Sequence, residues 1–144
     1  MTVNDFISTM KSNGAYFSPP MNTNQITFTN ATLQQHHLAM LPHELIELYT
    51  KTGGITLNSA CIFGPQEISK TNLYPIPSIL NINLDIAALQ KNMDKTIFGR
   101  NDLFYFAFDA FGKYYLLDNI TLKPLRQYDN CFKALTDCLI IGKI

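Results

Sequence analysis

Three histidines, His36, His37 and His43, fall within eight residues of one another. Imidazole is the commonest metal ligand, so their chemistry would be zinc binding. The spacing speaks against it. Neighbouring residues on a helix point about 100° apart, so His36 and His37 do not converge on one ion. Pro42 interrupts any helix that would carry His43 alongside them. The three are therefore expected to be solvent-exposed or to cap helix ends. Cys61, Cys131 and Cys138 show no CxxC spacing. Cys131 and Cys138 are two helical turns apart and share a face, which suits small buried hydrophobes with reduced thiols. Asp94, Asp102, Asp109 and Asp118 fall at strand ends or turns, where a carboxylate bonds its own backbone. Arg100-Asn101-Asp102 is the densest polar trio, readable as a functional loop or as a turn that satisfies itself. There is no GxSxG, P-loop, GxGxxG or HExxH motif. The expectation is a protein that is not an enzyme, with no cofactor and no metal.

The whole-chain totals narrow the partners. Across 144 residues, 11 Lys and Arg balance 11 Asp and Glu. Neutralising phosphates needs clustered cations, so direct nucleic-acid binding is not expected. No apolar run approaches the roughly 20 residues that span a bilayer, so no membrane partner is expected. The first ten residues, MTVNDFISTM, lack the basic and apolar regions of a secretory signal, so a cytoplasmic location is expected. Without such a signal, Asn30-Ala31-Thr32 and Asn119-Ile120-Thr121 read as chance glycosylation tripeptides. The length fits one domain over 1–144, large enough to bury a core without staples.

The elements that must position any site follow from periodicity. Thr2–Gly14 reads as a helix with Val3, Phe6, Ile7 and Met10 on one stripe and a Thr2/Asp5 cap. From Tyr16 to Gln35 the composition is polar, Pro19-Pro20 forbids helix locally, and Ile26/Phe28 alternate with threonines as in a short edge strand. Leu41–Thr52 reads as a second helix with Pro42 at its first position, closed by Gly53-Gly54. Ile55–Phe63 reads as one strand and Pro65–Ile68 as a helical turn. Tyr74-Pro75-Ile76-Pro77 reads as extended chain, and Leu84–Lys91 as a weaker helix. Thr96–Asp118 is the most aromatic stretch. Phe104, Phe106 and Phe108 alternate with Tyr105, Ala107 and Asp109, which puts the Phe side chains on one face of a strand. Asp109-Ala110-Phe111-Gly112 then turns the chain into Lys113–Asp118. Leu122–Tyr128 is a further strand, at an edge or kinked because of Pro124. Asp129 is expected to cap a last helix, Asn130–Ile141, ended by Gly142, with Cys131, Leu135 and Cys138 inward. The fold class is α+β, helices packed around a twisted antiparallel sheet.

In that frame Leu41-Pro42-x-x-Leu45-x-x-Leu48-Tyr49, Gly53-Gly54-Ile55, Ile62-Phe63-Gly64 and Glu67-Ile68 resemble the SUKH superfamily. That group includes the yeast cell-wall-synthesis regulators and many bacterial toxin-immunity proteins. Ile97-Phe98-Gly99-x-x-Asp102, the aromatic strand and Tyr114-Tyr115-Leu116-Leu117-Asp118 look like the second half of the same domain. Tyr74-Pro75-Ile76-Pro77-Ser78-Ile79-Leu80 and the last helix are similar to the bacterial YrhA-like branch. The resemblance implies a single SUKH-like domain that binds a cognate toxin domain, such as a nuclease or deaminase, and blocks it without catalysis. An alternative is a regulatory protein-interaction scaffold or a small-ligand-binding domain. A partner surface needs exposed aromatic and charged residues. The candidates are Glu44 and Glu47 on the helix, with Arg100, Asp102, Tyr105, Asp109, Tyr114 and Tyr115 on the central sheet. If the Phe stripe meets the helices, the Tyr105 face is expected to be the open one.

Overall fold

Thr2 and Asp5 cap the first helix reciprocally, each side chain accepting from the other's backbone N–H at 3.1 Å. The computed structural model describes residues 1–68, 76–87 and 94–140. Helix α1 (Val3–Ser12) buries Val3, Phe6 and Met10 on the expected stripe. Past Asn13 the chain turns at Gly14, whose φ of +88° only glycine adopts without strain. In the polar stretch that follows, the edge strand expected at Ile26/Phe28 is helix instead. After β1 (Tyr16–Phe17), residues Thr23–Gln35 form helix α2. Asn22 and Gln25 cap it with a second reciprocal pair, both bonds 2.9 Å. Ile26, Thr29 and Leu33 recur at helical spacing and are buried, whereas Phe28 is exposed. The four-residue alternation was a coincidence inside a longer 3-4 pattern.

Helix α3 (His43–Tyr49) is shorter than the sequence predicts. Pro42 occupies the N-cap, one place before the first turn, and Thr50 is the C-cap. Thr52 has left the helix, and its hydroxyl donates to the carbonyls of Ser18 and Gly54. Ile55–Phe63 is likewise not one strand. Asn58, with φ of +55°, turns the chain between β2 (Ile55–Leu57) and β3 (Ala60–Ile62). Asparagine tolerates this left-handed conformation better than most residues. Residues 65–68 do not form a helical turn; Ile68 instead bridges Ile76. Gly64 is required by a close approach, because a Cβ there would run into the carbonyl oxygen of Gly53.

Helix α4 (Ile79–Ala87) begins five residues before the expected start at Leu84. The remainder of that expectation, 88–91, lies outside the described residues, as do Tyr74-Pro75 and the helix end at Ile141-Gly142. Strands β4 (Thr96–Arg100), β5 (Phe104–Phe108), β6 (Tyr114–Asp118) and β7 (Pro124–Tyr128) complete the sheet. Among the described residues it has seven strands, all antiparallel and in chain order, with β1 and β7 at the edges. The edge position of β7 accommodates Pro124, which has no N–H to donate. Helix α5 (Cys131–Ile140) packs across β2 to β7 and is capped by Asn130, not Asp129. The architecture is α+β, helices around an antiparallel sheet that does not close into a barrel.

The core lies between α5 and the sheet. The ring of Phe98 meets those of Phe106, Phe108 and Tyr114 at centroid distances of 6.1–6.4 Å. Phe106 and Phe108 are fully buried, as are Ala134, Leu135 and Cys138 opposite them. The Phe stripe therefore does face helix. Where β3 runs out, helix α4 takes over the ladder. The Asn83 amide donates to the Ile97 carbonyl at 2.8 Å and accepts from the Ile97 N–H at 2.7 Å. A side chain thus completes a backbone pairing that would otherwise be buried and unmade. Asp137 on α5 is also buried, and accepts from Tyr128 at 2.8 Å with Arg126 and Lys133 as its ion-pair partners.

Candidate functional site

Residues 36–42 join α2 to α3, and two hydrogen bonds, one buried and one partly buried, fix this connection. The Leu41 N–H donates to Asn30 Oδ1 at 2.7 Å, and Thr96 Oγ1 donates to the Ala39 carbonyl at 2.6 Å. The segment is thereby held away from the β5–β6 turn and the start of α5. A groove of about 960 Å³ lies between the three. His37, Met40 and His43 stand on one wall, Asp109 and Ala110 on another, and Asp129 and Phe132 on the third. His36 is the C-cap of α2, His37 has φ of +58°, and His43 opens α3. All three imidazoles are exposed, as their spacing predicts. Among the described residues no three His, Cys, Asp or Glu side chains are grouped to hold a metal ion.

Part of the groove's polar lining is already paired. The buried Tyr114 hydroxyl donates to Glu44 Oε2 at 2.8 Å. Burial, the neighbouring Cys131 and this bond push the Tyr114 phenol well up from its ordinary value. Cys131 lies against the same hydroxyl, and burial raises its thiol to about 12. A thiol held so high stays protonated near neutrality and is a poor nucleophile. Lys113 and Asp129 pair at 2.7 Å on the outer edge.

Asp109 links the groove to the far face of the sheet. Its Oδ1 accepts from the N–H groups of Phe111 and Lys113, and its Oδ2 from the Tyr115 hydroxyl at 2.7 Å. Burial alone would raise this carboxyl; the bonds from Tyr115, Lys113 and Phe111 outweigh it and hold it below its ordinary value. The same bond, then burial, lifts Tyr115 to about 12. The Lys95 ammonium sits 4.7 Å from the centre of the Tyr115 ring.

The eight sequence-predicted residues thus fall into separate places. Glu44, Asp109 and Tyr114 line the groove. Tyr115 touches it only through Asp109. Arg100 and Tyr105 are cross-strand partners on the face opposite α5. Asp102 is exposed at the β4–β5 turn, and Glu47 is exposed on α3. The Tyr105 face is not open in the way the alternation implies. Ile97, Ala107 and Leu117 on it are fully buried, and Tyr105 is half-buried. The openness lies instead at the end of the sheet. There Met40 is 45% exposed, and Phe111, at the tip of the β5–β6 turn, is 83% exposed. Sequence reasoning passed over both, because one sits in a connection and the other in a turn. The available signal was an apolar residue at a position where turn chemistry asks for a polar one.

No protein-family model, no curated protein and no solved structure matches this chain. Among the described residues no helix is long and apolar enough to cross a membrane.

Proposed function

We propose that this is a SUKH-type immunity protein. It acts in the cytoplasm, binding a cognate toxin domain and neutralising it without catalysis or cofactor. The observation that carries the reading is the open groove at the end of the sheet. Within it Tyr114 bonds Glu44, Met40 lines one wall, and Phe111 stands exposed at the tip of the β5–β6 turn that forms another. Exposed apolar anchors beside a polar rim are the anatomy of a protein interface. Glu44, Asp109 and Asp129 give the groove an acidic lining, which favours a basic partner surface. The SUKH-like motifs supply the toxin as that partner.

The test is co-expression with the toxin-like product of the adjacent gene, scored by cell survival and co-purification. Rescue with a stable complex is expected. Phe111→Glu and Met40→Glu, both at exposed positions, are expected to weaken that complex by about tenfold or more. Neither rescue nor complex with a demonstrably active toxin would remove the immunity reading. Rescue undisturbed by both variants would move the interface off the groove. Small-ligand binding is a second reading, favoured by one observation: a cavity beside Arg100 on the other face.

A further inference from the structure

That cavity, of about 350 Å³, opens beside the β2–β3 turn and the bridge between Ile68 and Ile76. Its walls differ in character. Ile68, Ile76 and Ala60 are apolar and buried or half-buried, while Asn58 and Ser59 are exposed at the turn. Arg100 lines the side formed by β4. Its register partners are Cys61 on β3 and Tyr105 on β5, so it projects on the face away from α5.

Arg100 is half-buried, and its guanidinium carbon lies 5.6 Å from the centre of the Phe63 ring. The Cys61 thiol is beside it. Lys95, Lys113, Arg126 and Lys133 each have a carboxylate partner. Among the described residues Arg100 has none, and its side chain donates to no oxygen there. A guanidinium carries five N–H donors in one plane. Beyond its bond to the Cys61 thiol, this partly desolvated cation has no anionic partner among the described residues. Its planar fork fits a carboxylate or a phosphate, and the apolar wall of Ile68 and Ile76 favours the organic part of a carboxylic acid.

We propose that this cavity binds a small organic acid, its carboxylate on the edge of Arg100 and its apolar part against Ile68 and Ile76. The site stands independently of toxin binding, since none of its residues lines the groove.

The probe is hexanoate, titrated into the full chain and followed by amide proton–nitrogen correlation spectra. Hexanamide, the neutral isostere, and inorganic phosphate are run in parallel. Hexanoate is expected to shift the resonances of Ser59, Ile68, Ile76 and Arg100 saturably, and hexanamide to leave them in place. Arg100→Lys keeps the charge but loses the planar fork, and is expected to weaken binding by about tenfold. Arg100→Gln is expected to abolish binding with the rest of the spectrum intact; if it does not fold, the lysine variant decides. Equal shifts with hexanamide, retention in the folded glutamine variant, or no shift with hexanoate at about 10 mM would each overturn the proposal. Equal shifts with phosphate would overturn the ligand class, leaving a general oxyanion site.

Discussion

The two faces of strands β4 to β7 handle polar groups in opposite ways. Toward α5 the polar atoms are buried and paired inside the protein: Tyr114 with Glu44, and Tyr128 with Asp137. On the other face Arg100, Tyr105 and Tyr115 are only half-buried, while Asp109 is buried. Tyr115 reaches across to Asp109, and Arg100 has no anionic partner among the described residues. The difference shows how a single strand serves two ends. Its alternation sends Phe106 and Phe108 into a dry core, where an unpaired donor costs about 1–3 kcal/mol. The same alternation turns Tyr105 to the opposite face, where it is half-buried beside its cross-strand partner Arg100 of β4.

The largest test of this contrast truncates one residue on each face of β5. Phe106→Ala removes a fully buried ring beneath α5 and is expected to cost about 3–5 kcal/mol. Tyr105→Ala, next to it in sequence but half-buried, is expected to cost less than half of that. Denaturant unfolding of the two variants measures the difference. Equal losses would mean that both faces are core, and would sink the distinction.

A smaller effect is expected where the groove meets the core. Tyr114→Phe deletes the donor to Glu44 and is expected to cost about 1.5–3 kcal/mol, the worth of a hydrogen bond to a charged group. Glu44→Gln keeps an acceptor and is expected to cost less. If the glutamine variant proved the worse of the two, Glu44 would be working through charge and not through this bond.

The gentlest probe is pH. Asp109 has its folded-state carboxyl below its ordinary value, so the stability linked to it is present above that value. It is lost as pH falls through the folded one. Asp5 and Asp129 at exposed positions, and the half-buried Asp118, are lowered in the same direction by hydrogen bonds. At the other end Tyr115, Tyr128 and Cys131 are each raised to about 12. Raised groups hold their protons more tightly when folded, so stability is intact below their unfolded values and falls as pH climbs through the folded ones. Melting temperatures across pH should therefore drop at both extremes. Asp109→Asn should flatten the acid limb, because the amide oxygen still accepts from the Phe111 and Lys113 N–H groups without titrating. An unchanged acid limb would assign acid sensitivity to these other aspartates.

Much of the fold was legible because its signals are local. The stripe of α1, the Phe alternation of β5 and the Asp109–Gly112 turn each depend on residues within one or two turns of chain. The missed elements show where local signals compete. Residues 23–35 carried a capping pair and a 3-4 stripe, but threonine-rich composition and four alternating residues pointed to an edge strand. Ile55–Phe63 hid a hairpin, because its apolar pattern runs unbroken through Asn58-Ser59. The candidate site was less legible. Glu44, Asp109 and Tyr114 were nominated for their chemistry, and nothing in the chain order placed Glu44 beside Tyr114. Met40 and Phe111 were missed because exposure is not a local property.

The sequence by itself determined which segments bury an apolar face, since periods of two and 3.6 are set by backbone geometry alone. Only the tertiary structure decided which segments meet. Bringing Glu44 to Tyr114, Asn83 to Ile97, and residues 36–42 to Thr96 depends on contacts between distant parts of the chain. Those contacts are chosen by how the layers pack, and no short-range pattern encodes them.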